Sequence, residues 1–198
     1  MEKAEDLLAE IKKLEKELVE ELQQKEQQFF YKIKDRKVHF EEEAKAYHKT
    51  LATSLHTYIF NASFANMMTA PIVWACFPPA LLLDLFISFY QFSCFRIYGI
   101  PTVKRSDYIV IDRHTLRYLN AIEKLNCIYC GYFNGLIAYI QEIAGRTEQY
   151  WCPIKHAKKL KTMHNQYPKF LEFGDGDKYH QNLQRLRQDL KNIKRRTG

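Results

Sequence analysis

Leu7, Ile11, Leu14 and Leu18 recur at spacings of four, three and four residues, with charged side chains filling the other faces. That is the spacing of a coiled-coil-like helical seam. Glu/Lys pairs at i,i+4, such as Glu21 and Lys25, support a solvated helix. The seam weakens where Gln24, Gln27 and Gln28 enter and Phe29, Phe30 and Ile33 follow. Because no proline or glycine precedes Pro71, the pattern predicts one long helix with bends, a charged arm over residues 1–54. Such an arm either meets a partner helix or a second copy through residues 7–33, or packs on its own domain.

The pattern then changes. Ala70 to Phe95 read APIVWACFPPALLLDLFISFYQFSCF, with one charge, Asp84, and three prolines. About 20 apolar residues in a helix cross a hydrocarbon core, so a membrane segment is expected over residues 55–97. Pro78-Pro79 falls near its centre, and proline lacks the N–H of a helix interior and clashes with the preceding turn. The favoured arrangement is a helical hairpin with arms over 55–77 and 80–96 and the prolines at its apex. A single kinked span over 70–95 and a buried soluble helix pair are the alternatives, and Phe86, Phe89, Tyr90, Phe92 and Phe95 suit any of them. An acid within hydrocarbon is costly and is usually paired or functional. Asp84 lies five residues past Pro79, which in the hairpin puts it at a water-exposed apex.

Composition alone is bland: of 198 residues, 27% are charged and 46% hydrophobic. This excludes a wholly disordered chain and a polytopic transporter. The distribution of charge is more informative. Residues 1–49 hold 11 basic and 13 acidic side chains, residues 50–95 hold no Lys or Arg, and residues 96–198 hold 19 basic against 9 acidic. The net +7 therefore belongs to the C-terminal half and calls for an anionic partner. No zinc-finger, homeodomain or RNP pattern supports nucleic acid, which leaves the anionic face of a membrane. The expected lipid contacts are Arg96, Lys104 and Arg105 beside the apolar block, and Lys191, Lys194, Arg195 and Arg196 at the C-terminus. The last four belong to a basic amphipathic tail over 171–198. It opens on the turn residues Phe173-Gly174-Asp175-Gly176-Asp177 and has Leu183, Leu186, Leu190 and Ile193 on its apolar face. The first 30 residues contain no apolar core of a cleavable signal peptide.

Five cysteines, an odd number, do not suggest a secreted disulfide framework. Cys76 and Cys94 lie in the apolar block, where small buried thiols are common. Cys127, Cys130, Cys152 and His156 instead form C-x2-C-x21-C-x3-H. Three thiolates and an imidazole can close a tetrahedral zinc shell, and each short spacing lets one pair chelate from a single turn. For the pairs to meet, the 21 residues between them must fold back, with Asn134-Gly135 and Gly145 as the breaks. A helical metal lobe over residues 98–170 follows, with zinc the expected cofactor. An iron–sulfur cluster on the same ligands, a Cys127/Cys130 dithiol and unliganded thiols are the competing readings. His114 and His164 are possible substitutes for His156, and are better read as ordinary polar residues.

Glu123, Glu142 and Glu148 raise acid–base or di-iron chemistry, but the chain has no Glu-x-x-His pair and no nucleotide-binding, nucleophile-elbow or zincin motif. There is no positive case for an enzyme. The string from Ser106-Asp107-Tyr108 through Asn126-Cys-Ile-Tyr-Cys-Gly-Tyr to Tyr150-Trp-Cys-Pro-Ile-Lys-His156 resembles an uncharacterised bacterial family, over about residues 70–160. The resemblance implies a bacterial origin and a membrane context and carries no activity. The expectation is thus a mainly α protein of the bacterial inner membrane, with arm and metal lobe on the cytoplasmic side. It would act as a zinc-binding structural or adaptor protein whose arm binds a partner. The rival expectation is a membrane-bound redox protein using the cluster or the dithiol.

Overall fold

The computed structural model describes residues 2–29, 31–34 and 37–192. It is mainly helical and divides into two compact units: Met1–Asn61 with Asp112–Ile128, and Ala62–Ile111 with Tyr129–Gly198. The separate lobe expected from residue 98 is therefore not what forms. Residues 98–111 and 129–192 fold with the apolar block, whereas residues 55–61 belong with the arm.

In the first unit, α1 (Glu2–Gln28) is the expected arm. It stops where the hydrophobic period changes from helical to alternating. Tyr31, Ile33, Val38 and Phe40 alternate with Lys32, Lys34, Lys37 and His39, a strand pattern of aromatic and β-branched residues. β1 (Tyr31–Lys34) and β2 (Lys37–Phe40) accordingly pair antiparallel, Tyr31 opposite Phe40 and Ile33 opposite Val38. The long bent helix expected over residues 1–54 is thus corrected to helix, hairpin and the short helix α2 (Glu42–Thr50). The Phe40 ring meets His48 edge-on at 5.1 Å, and His48 meets Tyr118 at 5.2 Å. A short α3 (Leu55–Phe60) starts at Ser54, whose hydroxyl accepts from the Thr57 N–H.

The second unit is built on α4 (Phe64–Ala75) and α5 (Phe77–Tyr98). The junction residue Cys76 has right-handed helical dihedrals, and Phe64–Tyr98 forms one helical run of 35 residues. No hairpin forms at Pro78-Pro79. The prolines occupy the first turn of α5, where an N–H has no intrahelical acceptor and a fixed φ near −65° suits the helix. α5 ends at Gly99, left-handed with φ 67°, and the Ile100 N–H closes back onto the Phe95 carbonyl. An extended return segment follows. α6 (Ala121–Trp151) opens with a reciprocal cap: the Asn120 N–H donates to the Glu123 carboxylate and the Glu123 N–H to the Asn120 side chain.

α6 runs through Asn134-Gly135 and Gly145 without a break. Both glycines are required by close approach. A Cβ on Gly135 would lie 2.7 Å from the Tyr108 carbonyl oxygen, and one on Gly145 2.5 Å from the His164 ring. Beyond Trp151 the chain wraps back over α6 with an isolated parallel bridge between Ile154 and Leu171. It ends in α7 (Gly176–Lys191), capped by Asp175. Lys178 both donates to that carboxylate and holds its pKa below the usual range. Leu186 and Leu190 of α7 are buried, so the apolar face of the tail packs into this unit and is not offered to a membrane. Phe95, Ile143, Leu136 and Leu190 form the centre of the core.

Candidate functional site

Three pairings order the second unit. Tyr132 reaches Asp84, Tyr139 reaches Gln91, and Tyr150 stacks on Tyr98. Residue numbers rise together on both sides, so α5 and α6 run parallel. The return segment runs the opposite way in the groove between them: Pro101 meets Arg146, Val103 meets Gln91, and Arg105 meets Asp84.

The α5 face turned to this groove repeats every three and four residues: Phe77, Ala80, Asp84, Ile87, Gln91, Cys94 and Tyr98, each buried or half-buried. Its polar members have definite partners. Asp84, 8% exposed, accepts from the Tyr132 hydroxyl at 2.8 Å, the Ser88 hydroxyl at 3.2 Å and the Arg105 guanidinium. The water-exposed apex expected for Asp84 is thus corrected to a buried, fully paired carboxylate. Arg105, expected to contact lipid, is its counter-ion. Burial and the neighbouring carboxylate push the Tyr132 phenol up to about 12, so it remains a donor at any physiological pH.

Gln91 grips the return segment by its backbone. It accepts the Val103 N–H at 2.7 Å, and its own amide donates to the Val103 carbonyl at 3.3 Å and to the Tyr139 oxygen at 2.9 Å. One carboxamide stands in for a neighbouring strand and satisfies an extended backbone that has no sheet to join. Arg146 holds the Pro101 carbonyl at 2.7 Å while its Nε donates to Glu142 at 2.8 Å. Glu142 in turn accepts from the Gln166 amide at 3.2 Å. His164 Nδ1 accepts from the Gln166 N–H at 3.2 Å, which leaves Nε2, 3.0 Å from Glu148, as the donor nitrogen.

The outward face of α5 is the reverse of this polar seam. Leu82, Leu85, Phe86, Phe89 and Phe92 are exposed, Phe86 and Phe89 each to 68%. On α4, Phe64, Met67, Met68, Ile72 and Val73 are exposed too. The most apolar stretch of Phe64–Tyr98 has a mean hydropathy of 1.9 and is only 11% buried, and the run is long and apolar enough to cross a membrane. At 1.5 Å per residue it measures about 52 Å, against about 30 Å for a hydrocarbon core.

The structure does not bring the Cys/His ligands together. Cys130 lies on α6 and Cys152 just past its end, about 33 Å apart at the helical rise. Cys130, Cys152 and His156 are exposed, Cys127 is half-buried, and all five cysteines are free. Among the described residues no group of three or more His, Cys, Asp or Glu is arranged to hold a metal ion. A Cys3His shell needs α6 to fold back on itself, and both glycines expected to break it are spent on close packing. The donor set therefore does not fit zinc or a cluster. His156 instead stacks on Tyr167, whose hydroxyl accepts its backbone N–H at 2.7 Å.

Of the expected lipid contacts, Arg96, Lys104 and Lys191 are exposed, while Lys194, Arg195 and Arg196 lie outside the described residues, as does Ile193. Sequence reasoning missed Gln91, the part played by His164, and Gln149, whose fully buried amide donates to the Leu186 carbonyl of α7 at 2.9 Å. The one available signal was a glutamine interrupting an otherwise apolar or aromatic face. Comparison of the chain with family models, curated proteins and solved structures finds no match.

Proposed function

We propose that this protein is a membrane-associated adaptor. The outer face of α4–α5 sits in lipid, the polar seam fixes the return segment and α6 to that anchor, and α1 serves as the arm that binds a partner. The observation that carries the reading is the inverted amphipathicity of α5. Its acid and its glutamine are turned inward and paired, while leucines and phenylalanines face out. A water-soluble helix orients itself the other way, whereas polar groups within a membrane face the protein interior and pair there. An exposed apolar surface of this length marks a membrane or a protein interface. The arm supports the adaptor part of the reading, because Leu14, Leu18 and Leu22 are at least half exposed along a highly charged helix.

Alkaline carbonate extraction of membranes carrying the full chain tests the anchor. The chain is expected in the pellet, and Phe86→Gln with Phe89→Gln to shift it toward the supernatant. Complete release of the unaltered chain, migrating as a discrete soluble species, overturns the proposal.

A further inference from the structure

The parallel course of α5 and α6 brings Tyr98 and Tyr150-Trp151 to one end of the unit. There Tyr98 stacks on Tyr150 at 5.2 Å, and Trp151 packs edge-on against both at 5.4 and 5.3 Å. Trp151 is half exposed. Two cations meet this end, and a third lies on the outward face of α5 at the same level. Arg187 lies over the Tyr150 ring, 4.8 Å from its centroid, and its Nε donates to the Tyr150 carbonyl at 2.8 Å. Lys191, one turn further along α7, lays its side chain against Gly99 at the end of α5. Arg96, one turn before Gly99, lies over the Phe92 ring at 4.1 Å. Among the described residues no ion pair joins any of the three to a carboxylate.

Resting on the membrane reading above, we infer that this end is a binding site for the phosphate headgroup of an anionic phospholipid. Tyrosine and tryptophan favour the depth at which hydrocarbon meets headgroup, and basic residues at that depth attract anionic lipid. The site combines both at the end of the apolar helix. Arg96 and Arg187 are held by rings beneath them, which leaves guanidinium N–H groups to meet phosphate oxygens. Arg187 also anchors the cluster to α6, while Arg96 and Lys191 are exposed and contribute charge.

Partition of the full chain between buffer and vesicles tests this, with neutral phosphatidylcholine and with phosphatidylcholine carrying phosphatidylglycerol. Binding to neutral vesicles reports on the apolar anchor, and the increment on anionic vesicles reports on the headgroup site. Arg96→Gln with Lys191→Gln is expected to leave neutral binding unchanged and to lower the anionic increment on the order of tenfold or more, at about fivefold per cation. The control is Lys158→Gln with Lys159→Gln, two exposed lysines elsewhere in the same unit; it should retain most of the increment. An equal loss in the control, or an unaltered chain with no preference for anionic vesicles, overturns the headgroup site while the anchor stands. Failure to bind either vesicle overturns the membrane reading itself.

Discussion

Replacing Gln91 by Met tests whether the return segment is held by side-chain hydrogen bonds. Methionine has nearly the same shape and length, so packing at this 8%-exposed position is largely kept. The bonds to the Val103 N–H, the Val103 carbonyl and the Tyr139 oxygen are all lost. Two backbone groups then stay buried without a partner. Each such group costs about 1–3 kcal/mol, and the added apolar burial of Met returns roughly 1 kcal/mol. The net loss is about 1–5 kcal/mol, or about 2–20 °C in Tm for a chain of this size. Circular dichroism melts in detergent read the global effect. Trypsin reads the local one, because Lys104 and Arg105 follow Val103 directly and are cut once the segment lifts. The control is Gln141→Met on the exposed side of α6. If Gln91→Met melts with this control and is cleaved no faster than the unaltered chain, the clamp is refuted.

Gly145→Ala drives a methyl into the His164 ring, which Glu148 and Gln166 hold in place. It should cost about 1–3 kcal/mol. Gly176→Ala has nothing within 4 Å and should leave the melting temperature unchanged or raised, so equal melts would refute the packing role of Gly145. Cys152→Ser is expected to change neither the melt nor the metal content, since Cys152 is exposed and lies far along the helix from Cys130; loss of stoichiometric zinc on substitution would show that the pairs do meet. Asp175→Ala should shorten α7 as read by amide exchange at Lys178, whose N–H is bonded to this carboxylate. The folded pKa of Asp175 is depressed, so its contribution is present above the unfolded value and fades only as pH falls through the lower folded value. Exchange protection at Lys178 that already declines near neutral pH would contradict that assignment.

The helical character was legible because Glu, Leu, Lys and Gln dominate α1 and because glycine is absent from the first 98 residues. The hairpin of β1 and β2 was legible too, in the alternation of Tyr31, Ile33, Val38 and Phe40, but helical continuity was inferred from missing breakers. Proline and glycine misled for one shared reason: each has a use that does not end a helix. Pro78-Pro79 starts a turn that needs no donors, and Gly135 and Gly145 yield space to a neighbour that cannot be seen until the chain is folded. Two chelating cysteine spacings could not report that a continuous helix separates them. Asp84 was visible as the lone charge in an apolar block, yet its three partners come from its own helix, the return segment and α6. A linear pattern cannot reveal such a convergence.

The parallel course of α5 and α6 has an electrical consequence. A helix carries roughly half a negative charge at its C-terminus, and antiparallel neighbours cancel these fields. Here Gly99 and Trp151 end their helices side by side, so two negative poles add at one place. Arg187 bonded to a terminal carbonyl of α6 and Lys191 laid against the end of α5 are the counter-charges those poles demand. Among the described residues, these cations can therefore crowd at this end with no ion pair to a carboxylate, because the two helix ends supply the opposing charge.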